Sequence, residues 1–155
     1  MTMHWAIEDQ AGGRTVRVAG SITEEADFQP LLGVGDAGPL AFDLSGVDEI
    51  NSCGVREWIH FVRRLSELAP DYALARCSPA VVRQLNMVSN FRGAGRVTSV
   101  MLPYYCARCG SEQSLLYELP AAGPRPPIAP EAPCASCGGE AEFDDLPETY
   151  LNFAG

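Results

Sequence analysis

Cys106, Cys109, Cys134 and Cys137 form two C-x2-C pairs separated by 24 residues, CARCG and CASCG, each closed by a glycine. Two residues between thiols make a turn tight enough to aim both sulfurs at one cation, and the glycine frees the backbone beside it. Two such turns complete a tetrahedral four-thiolate shell with no position left for water. That is the chemistry of a structural Zn2+ and not of a hydrolytic one. Two disulfides and a redox-active pair are the competing readings. The first asks for an oxidising compartment, and the second has no need of a second C-x2-C.

A second place for chemistry is INSCGVREW, Ile50 to Trp58, where a hydroxyl and a thiol sit side by side as a strand gives way to a helix. A helix start leaves backbone N–H groups unpaired and carries partial positive charge, a setting that favours a phosphate on Ser52. A phosphoserine there would also bring roughly −1.5 to −2 charge to the helix start. The same setting can make a thiol reactive, but Cys53 has no base to work with. His4 lies near the start of the chain, and His60 falls on the polar face of the same helix, about two turns along. Cys53, and Cys77 at a strand end, read as packing residues. Asn51 and Ser52 are both good caps, so capping alone is the other reading of this stretch.

Composition narrows the classes of function. With 155 residues and 46% hydrophobic content, the chain supports one core and something small beside it. The formal charge of −9 comes from 11 arginines against 20 acids, with no lysine, so neither nucleic acid nor an anionic membrane is an expected partner. Arg108 and Arg125 are the basic residues beyond Pro103, facing eight acids there. Nothing near Met1 resembles a secretion signal, and no apolar run approaches the roughly 18 residues of a membrane span. The expected address is cytoplasmic, which keeps thiols reduced. No carboxylate pair, phosphate-cradling loop or open metal site argues for an enzyme.

The elements that must hold these residues follow from periodicity. HWAIED and RTVRVAGSI alternate around Ala11-Gly12-Gly13 and predict a hairpin, with Val16, Val18 and Ile22 facing the core. TEEADFQPLL predicts a short helix capped by Thr23 or starting at Asp27, because Pro30 is tolerated only in a first turn. PLAFDLSGV reads as a buried strand. After it Val55, Trp58, Ile59, Val62, Leu65 and Leu68 recur at helical spacing, with Arg56, Glu57, His60, Arg63, Arg64 and Glu67 opposite. YALARC is a strand. Ser78-Pro79 then caps and opens PAVVRQLNMV, and RVTSVML closes the region as a last strand. The expectation is an α/β fold, a mixed sheet of four to five strands covered by helices, over residues 1–103.

Residues 104–155 read as a separate small β module. Some 50 residues with few apolar side chains need a cross-link to fold. SLLYEL is a strand, and residues 120–133 hold six prolines in a stiff loop, with a ligand for a proline-recognising domain as the minor reading. EAEF is a short strand with Phe143 inward. Tyr150, Leu151 and Phe153 are expected to pack a terminal turn on either part.

VRVAGSIT (Val16–Thr23), FDLSGVDEINSCGV (Phe42–Val55) and the helix–strand–helix after them resemble a STAS domain, the anti-sigma-factor antagonist family. The paired cysteines resemble a zinc ribbon. The STAS resemblance covers roughly residues 4 to 103. It implies a regulatory binding protein, not an enzyme, whose partner is an anti-sigma kinase or related signalling protein. It implies Ser52 as phosphoacceptor and a partner surface around Asn51, Ser52, Cys53, Arg56, Glu57 and His60. A homodimer is a further possibility under it. Asn51 stands where the family usually has aspartate, and Cys53 where it usually has a small hydroxyl residue. A constitutive scaffold that uses the same helix face without phosphorylation is the alternative.

Overall fold

The computed structural model describes residues 1–155, the side chain of Ala37 excepted. Its first sheet contains β1 (His4–Gln10), β2 (Gly13–Ile22), β3 (Leu40–Ile50), β4 (Tyr72–Ala75) and β5 (Arg96–Val97), in that spatial order. The β1–β2 hairpin is antiparallel and every later pair is parallel. Parallel neighbours need crossovers. α1 (Ser52–Leu68) joins β3 to β4, and α2 (Pro79–Met87) joins β4 to β5.

Alternation decides the two faces of this sheet. Val16, Val18, Ile22, Phe42, Leu44 and Leu74 are buried beneath the helices. Arg17, Asp43 and Arg76 lie on the other face as a chain of ion pairs, Arg17–Asp43 at 4.0 Å and Arg76–Asp43 at 3.5 Å. On α1 the buried stripe is Gly54, Trp58, Phe61, Val62 and Leu65, while Leu68 is exposed. This rotates the face predicted from spacing. Phe61 takes the inward place because it stacks on Phe28 at 5.1 Å and meets Phe42 edge-on at 5.8 Å. Aromatic pairs of this kind add about 1 kcal/mol beyond the area they bury.

The helix predicted over TEEADFQPLL does not form. In its place are two single 3-10 turns, Gln29–Leu31 and Val34–Ala37. Local side-chain bonds compete with a helix here: Thr23 Oγ1 accepts from Glu25 N and Asp27 Oδ1 from Gln29 N. Pro30 and the glycines at 33 and 35 remove what remained of helical propensity.

RVTSVML is not one strand but two in different sheets. Thr98 is the crossing point: its N–H bonds Leu74 O in the first sheet, and its carbonyl accepts from Leu119 N at 2.9 Å. The second sheet, β7-β6-β9-β8 in spatial order, is built from β6 (Ser99–Tyr105), β7 (Glu112–Glu118), β8 (Glu131–Pro133) and β9 (Glu140–Phe143), all antiparallel. The change of sheet therefore falls at Thr98, before the boundary expected near Pro103. Pro103 itself lies within β6, opposite Ser114.

The two sheets share one apolar core, which runs from Val16 through Trp58 and Val100 to Tyr104 and Leu151. The terminal turn packs on both. Tyr150 Oη donates to Met101 O at 2.7 Å, Asn86 Nδ2 donates to Tyr150 O, and Phe153 N donates to Asn86 Oδ1. The proline-rich loop is also tied down, through Tyr117 Oη on Pro126 O and Tyr104 Oη on Ala129 O. Among the described residues no helix is long and apolar enough to cross a membrane.

Candidate metal centre and helix-start site

The two C-x2-C turns are near copies of each other. Gly110 N donates to Cys106 O and Cys106 N to Ser111 O; Gly138 N donates to Cys134 O and Cys134 N to Gly139 O. Each turn needs a left-handed residue to close, which Gly110 (φ 77°) and Gly138 (φ 75°) supply. One turn leaves β6 and the other leaves β8, so the second sheet brings them face to face.

All four sulfurs then lie within 4.8 Å of one another. Cys106 Sγ is 3.7 Å from Cys137 Sγ, and Cys109 Sγ is 3.6 Å from Cys134 Sγ. A tetrahedral ion with metal–sulfur bonds of ~2.3 Å sets its sulfurs ~3.8 Å apart, so the cluster fits a metal ion such as zinc. Cys106 and Cys134 are buried, whereas Cys109 and Cys137 face solvent.

The surroundings favour thiolate at Cys109 and Cys134. Ser111 Oγ lies 3.0 Å from Cys109 Sγ and 3.3 Å from Cys134 Sγ. Its hydroxyl lowers the Cys109 thiol and, with backbone N–H groups of residues 136 and 137, brings Cys134 to about 6. Gly139 N–H supports Cys137 at 3.4 Å, but crowding by Cys106 and its neighbours prevails and pushes that thiol up to about 11. Four thiolates around a divalent ion leave net negative charge. A Cβ on Gly139 would meet Arg108 Cδ at 3.2 Å and Cys137 Sγ at 3.3 Å, so the Arg108 side chain borders the cluster.

The helix-start site is built by β3, β2 and α1 together. Asn51 is the cap: its Oδ1 accepts from Gly54 N at 2.8 Å, and its own N–H donates to Ile22 O. Gly54 is required by close approach, since a Cβ there would lie 2.0 Å from Ile22 O. Ser52 is the first helical residue and is exposed, with no hydrogen bond to its hydroxyl among the described residues. The cap is thus Asn51, and the Ser52 hydroxyl is left over.

Asn51 has a second bond that periodicity does not reveal. Its Nδ2 donates to Glu24 Oε2 at 2.9 Å, which holds the Glu24 carboxyl below the usual range. Cys53 is half-buried. Arg56 and His60 are exposed and Glu57 partly so. Glu57, His60 and Arg64 line a cleft of about 130 Å³ between α1 and the turn at Phe28–Leu32. Cys77, by contrast, is fully buried, and burial with the nearby Asp43 charge pushes its thiol up to about 12.

Comparison with protein-family models and with curated proteins finds no match to this chain. The structure defines an α/β protein with a mixed five-stranded sheet, a second antiparallel sheet and a four-cysteine cluster of metal-binding geometry.

Proposed function

We propose that this protein is a non-enzymatic regulatory binding module of the anti-sigma-factor antagonist (STAS) type, stiffened by a structural Zn2+ in a ribbon formed by residues 104–155. Its expected partner is an anti-sigma kinase or related signalling protein, met at the start and outer face of α1. The observation that carries the reading is the free, exposed Ser52 hydroxyl at the first position of α1, beside an Asn51 cap and a Gly54 that only glycine can occupy. Phosphate on Ser52 would meet the partial positive charge of the helix start and add repulsion at the docking surface. Arg56, Glu57 and His60 extend that surface. The Ser52→Ala variant should lose phosphorylation in native cells and should no longer switch its affinity for the partner.

A second reading is favoured by the Asn51–Glu24 bond. It fixes an ionised carboxylate close to Ser52, where it opposes an incoming phosphate. Under that reading the module binds its partner constitutively and Ser52 stays unmodified.

The zinc is structural under either reading. Its removal should unravel the Cys106–Gly110 and Cys134–Gly138 turns, and metal analysis of protein purified without chelator should find about one zinc per chain.

A further inference from the structure

Arg92, Arg96 and Arg125 come from three separate segments, yet they border a single cavity of about 460 Å³. Arg92 lies in the loop after α2, Arg96 in β5, and Arg125 in the proline-rich loop. No Asp or Glu lines the cavity among the described residues, and Val97, Leu119 and Phe153 supply apolar wall. In a chain with nearly two acids per arginine, three arginines around one cavity with no Asp or Glu on its lining are conspicuous, although Arg125 NH2 is already engaged by Gly155 O, which also borders the cavity. None of the three makes an ion pair with an Asp or Glu among the described residues. Asp71 borders a neighbouring cavity that Arg96 also reaches.

The backbone beneath these arginines is held in advance. Trp58 Nε1 donates to Phe91 O at 2.8 Å and Tyr72 Oη to Arg92 O at 2.5 Å, so two buried aromatic rings anchor the loop. Arg96 is pinned by pairing of β5 with Ala73. Arg125 NH2 donates to Gly155 O at 3.0 Å, and Tyr117 Oη fixes the next residue. Guanidinium forks recognise phosphate by paired N–H donors, and with the backbone already fixed only side-chain freedom is lost on binding. The cavity volume lies within the range of small-molecule sites and exceeds what a bare phosphate fills.

We propose that this cavity binds a small phosphate monoester, its phosphoryl group held by Arg92, Arg96 and Arg125 and its apolar body set against Val97, Leu119 and Phe153. The site lies where the first sheet, the ribbon loop and the terminal turn meet. A ligand there ties the three together.

The test is calorimetric titration of the full chain, zinc included, with phenyl phosphate and with inorganic phosphate at low salt. Phenyl phosphate should bind saturably and at least about tenfold more tightly than inorganic phosphate. Arg92→Gln and Arg96→Gln should each weaken it by about tenfold or more. Neither side chain makes a hydrogen bond among the described residues, so both variants keep the fold. Arg63→Gln, on exposed α1 surface, should leave binding unchanged. Absence of saturable binding, equal affinity for the two probes, or equal loss in Arg63→Gln would overturn the proposal.

Discussion

Asn51 holds two partners at once: its carboxamide oxygen accepts from Gly54 N at 2.8 Å, and its nitrogen donates to Glu24 Oε2 at 2.9 Å. An aspartate could do the first and not the second. Asn51 is therefore matched here by an acid on a different segment. Asn51→Asp should keep the cap but set two carboxylates against each other, lowering the melting temperature at neutral pH. Glu24→Gln in that background should restore it. Asn51→Ala, which removes the cap, should cost about 1 kcal/mol in denaturant unfolding.

The sign of the pH dependence follows from the lowered Glu24 carboxyl. Its contribution is fully present above the ordinary value of 4.5 and is lost as pH falls through the folded value below it. Melting curves should therefore show wild type losing stability relative to Glu24→Gln only on the acid side, with no divergence between neutral and alkaline pH.

Gly54→Ala forces a methyl group against Ile22 O, which is backbone and cannot swing aside. The variant should lose about 3 kcal/mol in urea unfolding, with the start of α1 displaced. Gly12→Ala, in open space at the hairpin turn, should change stability by less than about 0.5 kcal/mol.

Chelation should be felt beyond the cysteines, because Tyr104 and Tyr150 carry the ribbon into the shared core. Hydrogen exchange after zinc removal should speed up first over residues 106–111 and 134–139, and only then along β6. Cys134→Ser should lower the zinc content to well below one per chain. Lowering pH should release the ion, since protons compete for the thiolates.

Cys77 is buried and its thiol lies at about 12, so it should resist alkylation in the native state at pH 8. It should react only after unfolding, which mass spectrometry of alkylated peptides would follow.

Much of this was legible from periodicity and spacing. The β1–β2 hairpin, α1, the Ser78-Pro79 start of α2 and the four-cysteine cluster each rest on short-range signals, and each is present. Most of what escaped depends on contacts between distant segments. Phe61 faces inward because Phe28 waits for it, and Asn51 is satisfied by Glu24, which lies 27 residues earlier. The failed helix after Thr23 lost to turns made by its own Thr and Asp side chains. The strand break at Thr98 has no glycine or proline to mark it in the run RVTSVML. The arginine cavity is likewise invisible along the chain, because its walls come from segments that meet only in the folded state.

The most direct test of the regulatory reading is intact-mass and peptide mass spectrometry on the protein isolated from its native cells. The expected result is a species heavier by one phosphate, carried on Ser52 and absent from Ser52→Ala. A chain found only unmodified, whose partner affinity is the same in Ser52→Ala and Ser52→Asp, would contradict it.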